Sequence, residues 1–255
     1  MKRIETFRSR LRAGEPMMGT FLKTPSPIVC EVLGLSPLAC VCIDVEHAPF
    51  GRMEIDGCVA ALSAADMPSL VRVQTGSAGE ILSALDAGAT GVVLPHVISG
   101  AQAAELARVA HYGPGGRGYA GSSRAAGYAT KPMAEHLRDS AARTTVIAQI
   151  EDAEALMHLD AIAAIEDIDC IFVGRIDLTI SLGAASPTEA RVIEAVEQIC
   201  AAGLRHGKAV GMFIPPSEDC MVWQQKGATL FLLASDQQFL LDGARALAGR
   251  IAANG

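Results

Sequence analysis

The sequence predicts a closed (β/α)8 barrel, and three observations predict it. Short runs rich in Val, Ile, Leu and Cys alternate with Ala-rich stretches of helical spacing. Buried parallel strands read as continuous apolar runs, and the stretches between them as crossover helices. The alternation recurs eight times in 255 residues, a length such barrels use as one domain. A doubly wound sheet, the competing architecture, would use fewer strands.

Strands are expected at Met17–Lys23, Ala39–Asp44, Ser69–Val73, Gly91–Leu94, Thr145–Ile150, Cys170–Val173, Ala209–Met212 and Thr229–Leu233. Helices are expected at about 26–35, 51–65, 77–87, 99–110, 152–165, 187–205, 217–226 and 236–252. Pro68, Gly88, Gly91, Gly207 and Gly227 stand where each helix must stop before the next strand. One stretch breaks the rhythm. His111–Lys131 holds six Gly and all three Tyr, and so long a connection is a functional or mobile segment by expectation.

Composition narrows the function. Half the residues are apolar, which excludes a disordered chain. The formal net charge is −7, with no Lys/Arg block, which disfavours nucleic-acid binding. No apolar run reaches the roughly 18 residues of a membrane span, and the charged start lacks a signal-peptide core. No GxGxxG follows a strand and no GK[ST] occurs, so nucleotide binding is set aside. The seven Cys form no CxxC pair and read as buried reduced thiols, with Cys40 and Cys42 on one strand face. Together these point to a cytoplasmic barrel over residues 1–255, with no membrane or nucleic-acid partner.

Barrel active sites lie at the C-terminal ends of the strands. Read there, the chain offers Asp44-Val-Glu46-His47, then Arg72, then Pro95-His96, then Gln149-Ile-Glu151, then Gly174-Arg175-Ile-Asp177. Phe213 and Pro215-Pro216 follow strand seven, and Ser235-Asp236 follows strand eight as a helix cap. Glu151 and Asp177 close adjacent strands, where two carboxylates can approach one oxygen-ligated cation such as Mg²⁺. Each alone is equally at home near a helix N-terminus. His47 has Asp44 and Glu46 close by, as a general base requires, or is an exposed loop histidine. Arg72, inside a strand, needs a partner, either a structural Asp or a bound carboxylate. His96 reads as a packed loop histidine. Of the five Lys, only Lys23 sits where imine chemistry would need it, which favours a metal as the electron sink.

Four segments in order, IDVEHAPF, SLVRVQ, AQIEDAEAL and FVGRIDLTISLG, resemble the HpcH/HpaI aldolases. These are class II pyruvate aldolases of the phosphoenolpyruvate/pyruvate barrel superfamily, of the 4-hydroxy-2-oxo-heptanedioate or 2-keto-3-deoxy-sugar-acid type. The resemblance implies reversible cleavage of a 4-hydroxy-2-oxo acid to pyruvate and an aldehyde, with Mg²⁺, Mn²⁺ or Co²⁺. It implies Glu151 and Asp177 as metal ligands, His47 with Asp44 as a base acting through water, and Arg72 beside the keto oxygen. It implies Gln149 and the turn Gly174, Arg175, Ile176 as the pyruvate site. It also implies a homo-oligomer, a hexamer built as a dimer of trimers, with the last helix on a neighbouring subunit. Arg175 departs from the Pro that the motif usually carries. Decarboxylation of an oxaloacetate-like acid at the same site, and a non-catalytic oxo-acid-binding barrel, are the rival expectations.

Overall fold

A computed structural model describes residues 2–215 and 220–252. Helix α1 (Arg3–Arg12) precedes β1 (Met17–Leu22). The chain continues through α2 (Pro27–Gly34), β2 (Cys40–Asp44), α3 (Arg52–Ala64), β3 (Ser69–Arg72), α4 (Ala78–Asp86), β4 (Gly91–Leu94) and α5 (Gly100–Ala110). Next come α6 (Met133–Arg143), β5 (Thr145–Ile150), a 3-10 turn over Ala153–His158, α7 (Leu159–Ala163), β6 (Cys170–Val173), α8 (Arg175–Ser181) and α9 (Ala190–Arg205). The barrel ends with β7 (Ala209–Ile214), α10 (Cys220–Gln224), β8 (Ala228–Ser235) and α11 (Asp236–Ala252). All eight strands are parallel and close in sequence order, β8 pairing with β1.

Local chemistry explains the punctuation. Ser26 caps α2, with Pro27 in its first turn. Ser77 and Glu80 form a capping box on α4. Gly88 and Gly227 each take φ +98°, which a side chain would resist, and each turns the chain into the next strand.

Three helices were not expected. Helix α1 is charged, but its Phe7 and Leu11 enter the inner barrel core, and Arg8 and Arg12 both reach the fully buried Asp169 carboxylate. That partner lies far along the chain, so no local pattern announces it. Helix α6 buries only His136, so no buried apolar residue marks it. Helix α8 occupies what reads as a turn. The expected helix over 152–165 splits into the 3-10 turn and α7. The expected helix over 217–226 is described from Cys220 and ends at Gln224, with residues 225–227 in a turn; residues 216–219, Pro216 among them, lie outside the described residues.

Two apolar cores result. One lies between strands and helices, and the other fills the barrel with Phe7, Leu11, Met17, Phe21, Cys40, Cys42, Leu70, Phe172 and their neighbours. All seven Cys are free, and all but Cys220 are buried. Alternate strand residues point inward. The uppermost inward positions are therefore Phe21, Asp44, Arg72, Gln149, Phe172 and Phe213, and the mouth of the barrel is built on them.

Candidate active site

One arc of the mouth, from β2 to β5, is ionic. Asp44 and Arg72 are register partners on β2 and β3. The Arg72 guanidinium donates to Asp44 Oδ1 through Nε (3.0 Å), and its Nη2 lies 2.8 Å from Asp44 Oδ2 in an ion pair. Lys23 Nζ lies 3.0 Å from the same buried carboxylate. Burial opposes ionisation of Asp44, but Arg72 and Lys23 outweigh it and hold its carboxyl below the usual value. Burial likewise opposes the Arg72 charge, and Asp44 reverses the effect. The partner that Arg72 requires is thus a structural Asp. Lys23 is held in an ion pair and is not the desolvated amine that imine formation needs.

His47 differs in detail from the expected dyad. Asp44 Oδ1 accepts the His47 backbone N–H (3.2 Å), while the imidazole Nε2 lies 3.7 Å from Glu46 Oε2. Asp44 therefore shapes the loop, and Glu46 is the carboxylate beside the ring. Glu46 also lies 3.3 Å from Arg72 Nε.

Next to this lies a candidate metal centre. Glu46, His96 and Glu151 each offer a ligand atom, and the three atoms lie within 4.8 Å of one another. Glu151 is buried, and burial together with the neighbouring Glu151 charge raises the Glu46 pKa despite Arg72. Two carboxylates brought together in low dielectric call for a cation between them. A side chain at Gly174 would place its Cβ 2.6 Å from Glu151 Oε2, so glycine keeps that carboxylate's surroundings open. A divalent ion fits these residues.

His96 is not the packed loop residue expected. Its side chain is 57% exposed and its φ is +53°. Its backbone N–H donates to Glu151 Oε1 (2.9 Å), and its Nδ1 lies 2.9 Å from Asp152 Oδ2. Burial works against protonation of the ring, but the surrounding carboxylates Asp152, Glu151 and Glu46 raise its pKa overall. Period-two counting could have found the cluster, since Glu46 and Glu151 stand two residues above Asp44 and Gln149.

The cluster meets, through Arg72 beside Glu46 and Gln149 beside Glu151, a cavity of about 520 Å³ that Arg72 and Gln149 line. Its lining includes His47, Arg72, Gln149, Gly174, Arg175, Ile176 and Asp177 of the sequence-derived set, together with Lys23. Asp177 is half-buried in the first turn of α8. Gln149 donates through Nε2 to Glu151, while its buried Oε1 has no hydrogen-bond partner. Gly174 N–H is already donated to Ile150 O (3.0 Å). The opposite arc, from β6 round to β1, places the apolar side chains Phe172, Phe213, Ala234 and Phe21 in the lining, together with Arg175, Asp177, Ser235, Gln238 and Lys23. Gln149 and Phe172 are register partners, so the boundary between the arcs runs between β5 and β6.

The family model for HpcH/HpaI aldolase/citrate lyase matches residues 17–242. The chain belongs to this family. It is a carbon–carbon lyase, an aldolase of the class II, metal-dependent type. A hydroxypyruvate/pyruvate aldolase of Paraburkholderia phytofirmans is 32% identical over 246 residues, covering 93% of this chain and 94% of that protein. A 5-keto-4-deoxy-D-glucarate aldolase of Salmonella paratyphi C is 33% identical over 232 residues, 90% of each chain. Among solved structures, an HpcH/HpaI family protein from Burkholderia cenocepacia J2315 superposes with a TM-score of 0.91 at 31% identity, over 97% of this chain and 99% of that one. The family's aldolase chemistry thus falls on a barrel mouth whose candidate metal centre and Arg72–Asp44 pair adjoin one cavity. Among the described residues no helix is long and apolar enough to cross a membrane.

Proposed function

We propose that this aldolase reversibly cleaves a 4-hydroxy-2-oxo acid to pyruvate, or hydroxypyruvate, and an aldehyde. The observation that carries the reading is the adjacency of two devices at one mouth. One is a carboxylate–imidazole cluster suited to a divalent ion, and the other is a cation, Arg72, held rigid by Asp44.

Glu151 would hold the ion, with Asp177 as the family resemblance implies and with Glu46 and His96 as geometry supports. The mixed oxygen and nitrogen donors suit Mn²⁺ or Co²⁺ as well as Mg²⁺. When bound, such an ion supplies Lewis-acid polarisation of the 2-oxo group and offsets the charge of the enolate. Arg72 faces the same keto oxygen and carboxylate, and its fixed fork spares reorganisation during the reaction. His47, half-exposed in the mouth, takes the proton of the 4-hydroxyl through a water, with Glu46 beside its ring. Gln149 Oε1, buried without a partner, accepts from a donor on the bound acid or its water. Because the Gly174 N–H is engaged with Ile150, Gly174 serves by close approach. The start of α8, at Arg175 and Ile176, is left to meet the carboxylate.

Helix α11 leaves Phe239, Leu240, Leu241 and Leu247 exposed. These exposed apolar side chains support a homo-oligomer with α11 against a neighbouring copy, and a dimer of trimers is the arrangement that the family resemblance implies. The buried free thiols suit a reducing cytoplasm.

Exchange of pyruvate methyl protons with D₂O, followed by NMR with Mn²⁺ or Mg²⁺ and again with excess EDTA, tests the core of this reading. Exchange that needs the metal is the expected result. Exchange that survives EDTA, or none in either tube, would overturn it.

A further inference from the structure

The end of the barrel away from the mouth holds a second pocket, and the His111–Lys131 segment helps to build it. The pocket measures about 100 Å³. Thr90 and Thr144 line it from just ahead of β4 and β5, so it lies at the N-terminal ends of those strands. Arg117 and Lys131 reach it from the segment, and His136 and Arg143 from α6. The aldolase chemistry uses none of these residues.

Charge in this pocket does not balance. Asp139 Oδ2 takes both Lys131 Nζ (2.6 Å) and Arg143 Nη2 (2.7 Å). Asp86 accepts from Arg117 Nη2 (2.9 Å). Three cations thus share two carboxylates, in a chain whose formal net charge is −7. Burial lowers the His136 pKa, and Arg117 and Lys131 add to that effect against Asp139 and Asp86.

One cation is also short of an acceptor. The Arg117 side chain is only 2% exposed, with its guanidinium over the Tyr112 ring (4.4 Å to the centroid). Its buried Nε has no hydrogen-bond partner. A charged donor buried without an acceptor is costly, and a bound anion would remove that cost. Hydroxyls add further donors. Thr90 Oγ1 accepts the Ser69 N–H (3.1 Å), which leaves its own proton to give. The Ser140 and Thr144 hydroxyls share one hydrogen bond at 3.2 Å, which uses one of their two protons.

We infer that this pocket binds a small tetrahedral oxyanion of the phosphate class, held by Arg117, Lys131 and Arg143 with hydroxyl support. Guanidinium and ammonium groups are the usual partners of phosphate oxygens. At roughly 30 Å³ per water the volume equals about three waters, room for one such group and too little for a whole nucleotide. The anion ties the His111–Lys131 segment and α6 to the floor of the barrel. Free inorganic phosphate and the phosphate group of a larger monoester offer the same chemistry. The inference does not depend on which acid the aldolase cleaves.

Calorimetry and thermal unfolding in Mg²⁺ at constant ionic strength test it, with inorganic phosphate and glycerol 3-phosphate as probes against chloride. The wild type should bind phosphate with a Kd of about 1 mM or below, and its thermal midpoint should rise. Arg143→Gln and Lys131→Gln should each weaken phosphate by about fivefold or more, and Arg143→Lys should recover part of the loss. Exchange of pyruvate methyl protons should be unchanged in all three variants, because the mouth lies at the other end of the barrel. That unchanged exchange also shows that the variants fold. Tighter binding of phosphate marks the free anion as occupant, tighter binding of glycerol 3-phosphate marks an ester, and either supports the site. Neither heat nor a rise in midpoint with phosphate would overturn it. So would an affinity left unchanged by both Gln variants, which would put the phosphate elsewhere on the molecule.

Discussion

The two arcs of the barrel mouth share one backbone geometry and differ in everything else. From β2 to β5 the inward positions carry Asp44, Arg72 and Gln149, with Glu46, His96 and Glu151 just above. From β6 to β1 they carry Phe172, Phe213, Ala234 and Phe21. Each ionic group in the first arc is held by another one: Arg72 by Asp44, Asp44 by Lys23, and Glu151 by Gln149 and the His96 backbone. The second arc carries its charges, Lys23, Arg175 and Asp177, beyond the strand ends rather than on inward strand positions. The mutually fixed charges of the first arc are thus where the chemistry is concentrated.

The comparison can be broken most severely at Glu151. Glu151→Gln keeps the volume but halves the charge of the Glu46–Glu151 pair. Turnover should fall by about three orders of magnitude or more, because carbonyl polarisation by a metal is worth several kcal/mol. Stopped-assay rates with calorimetric metal titration would check it, and near-normal metal affinity would remove Glu151 from the centre. Running His96→Ala and Asp177→Ala in the same titration decides which of the two completes the ligand set.

Arg72→Lys comes next. A point charge cannot reproduce the fork that grips Asp44 through two nitrogens, so kcat/KM should drop by about a hundredfold although the charge is retained. Gly174→Ala tests the border between the arcs. Its new Cβ would lie 2.6 Å from Glu151 Oε2 and 2.7 Å from Glu151 Cβ, so activity should fall by about tenfold or more as the carboxylate is displaced. Circular dichroism should report an unchanged fold.

The smallest effect is on stability and comes from Asp44. Its folded pKa lies below the ordinary 3.8. Such a carboxyl contributes stability above its unfolded pKa, and that contribution is lost as pH falls through the folded value. Urea midpoints measured from pH 6 down to pH 3 should therefore fall more steeply for the wild type than for Asp44→Asn. Equal slopes would show that the Asp44 ion pairs add nothing to folding.

Much of this was legible in the chain. The eight strands appear in the order and nearly at the bounds that apolar runs and glycine stops imply, because strand burial on both faces leaves a local compositional mark. Every residue expected to bind pyruvate lines the cavity, since the motifs fall at strand ends. Less legible was anything that depends on a distant partner. Helix α1 hides its role because Asp169 neutralises its arginines from across the barrel. His96 looked like packing because its carboxylate neighbours come from β2 and from the end of β5. His47 looked like a partner of Asp44, whereas the fold gives its ring to Glu46 and its backbone to Asp44.

By itself, then, the sequence determined the barrel, its reduced thiols and the strand ends that carry carboxylates, His47 and Arg72. Those follow from periodicity and residue type over a few neighbours. Only the tertiary structure decided which carboxylates meet, that Lys23 pairs with Asp44, and that Phe21 and Phe213, far apart in the chain, pack ring to ring at the mouth. Closing a sheet sets residues from different strands side by side, and that adjacency is fixed by strand register rather than by distance along the chain.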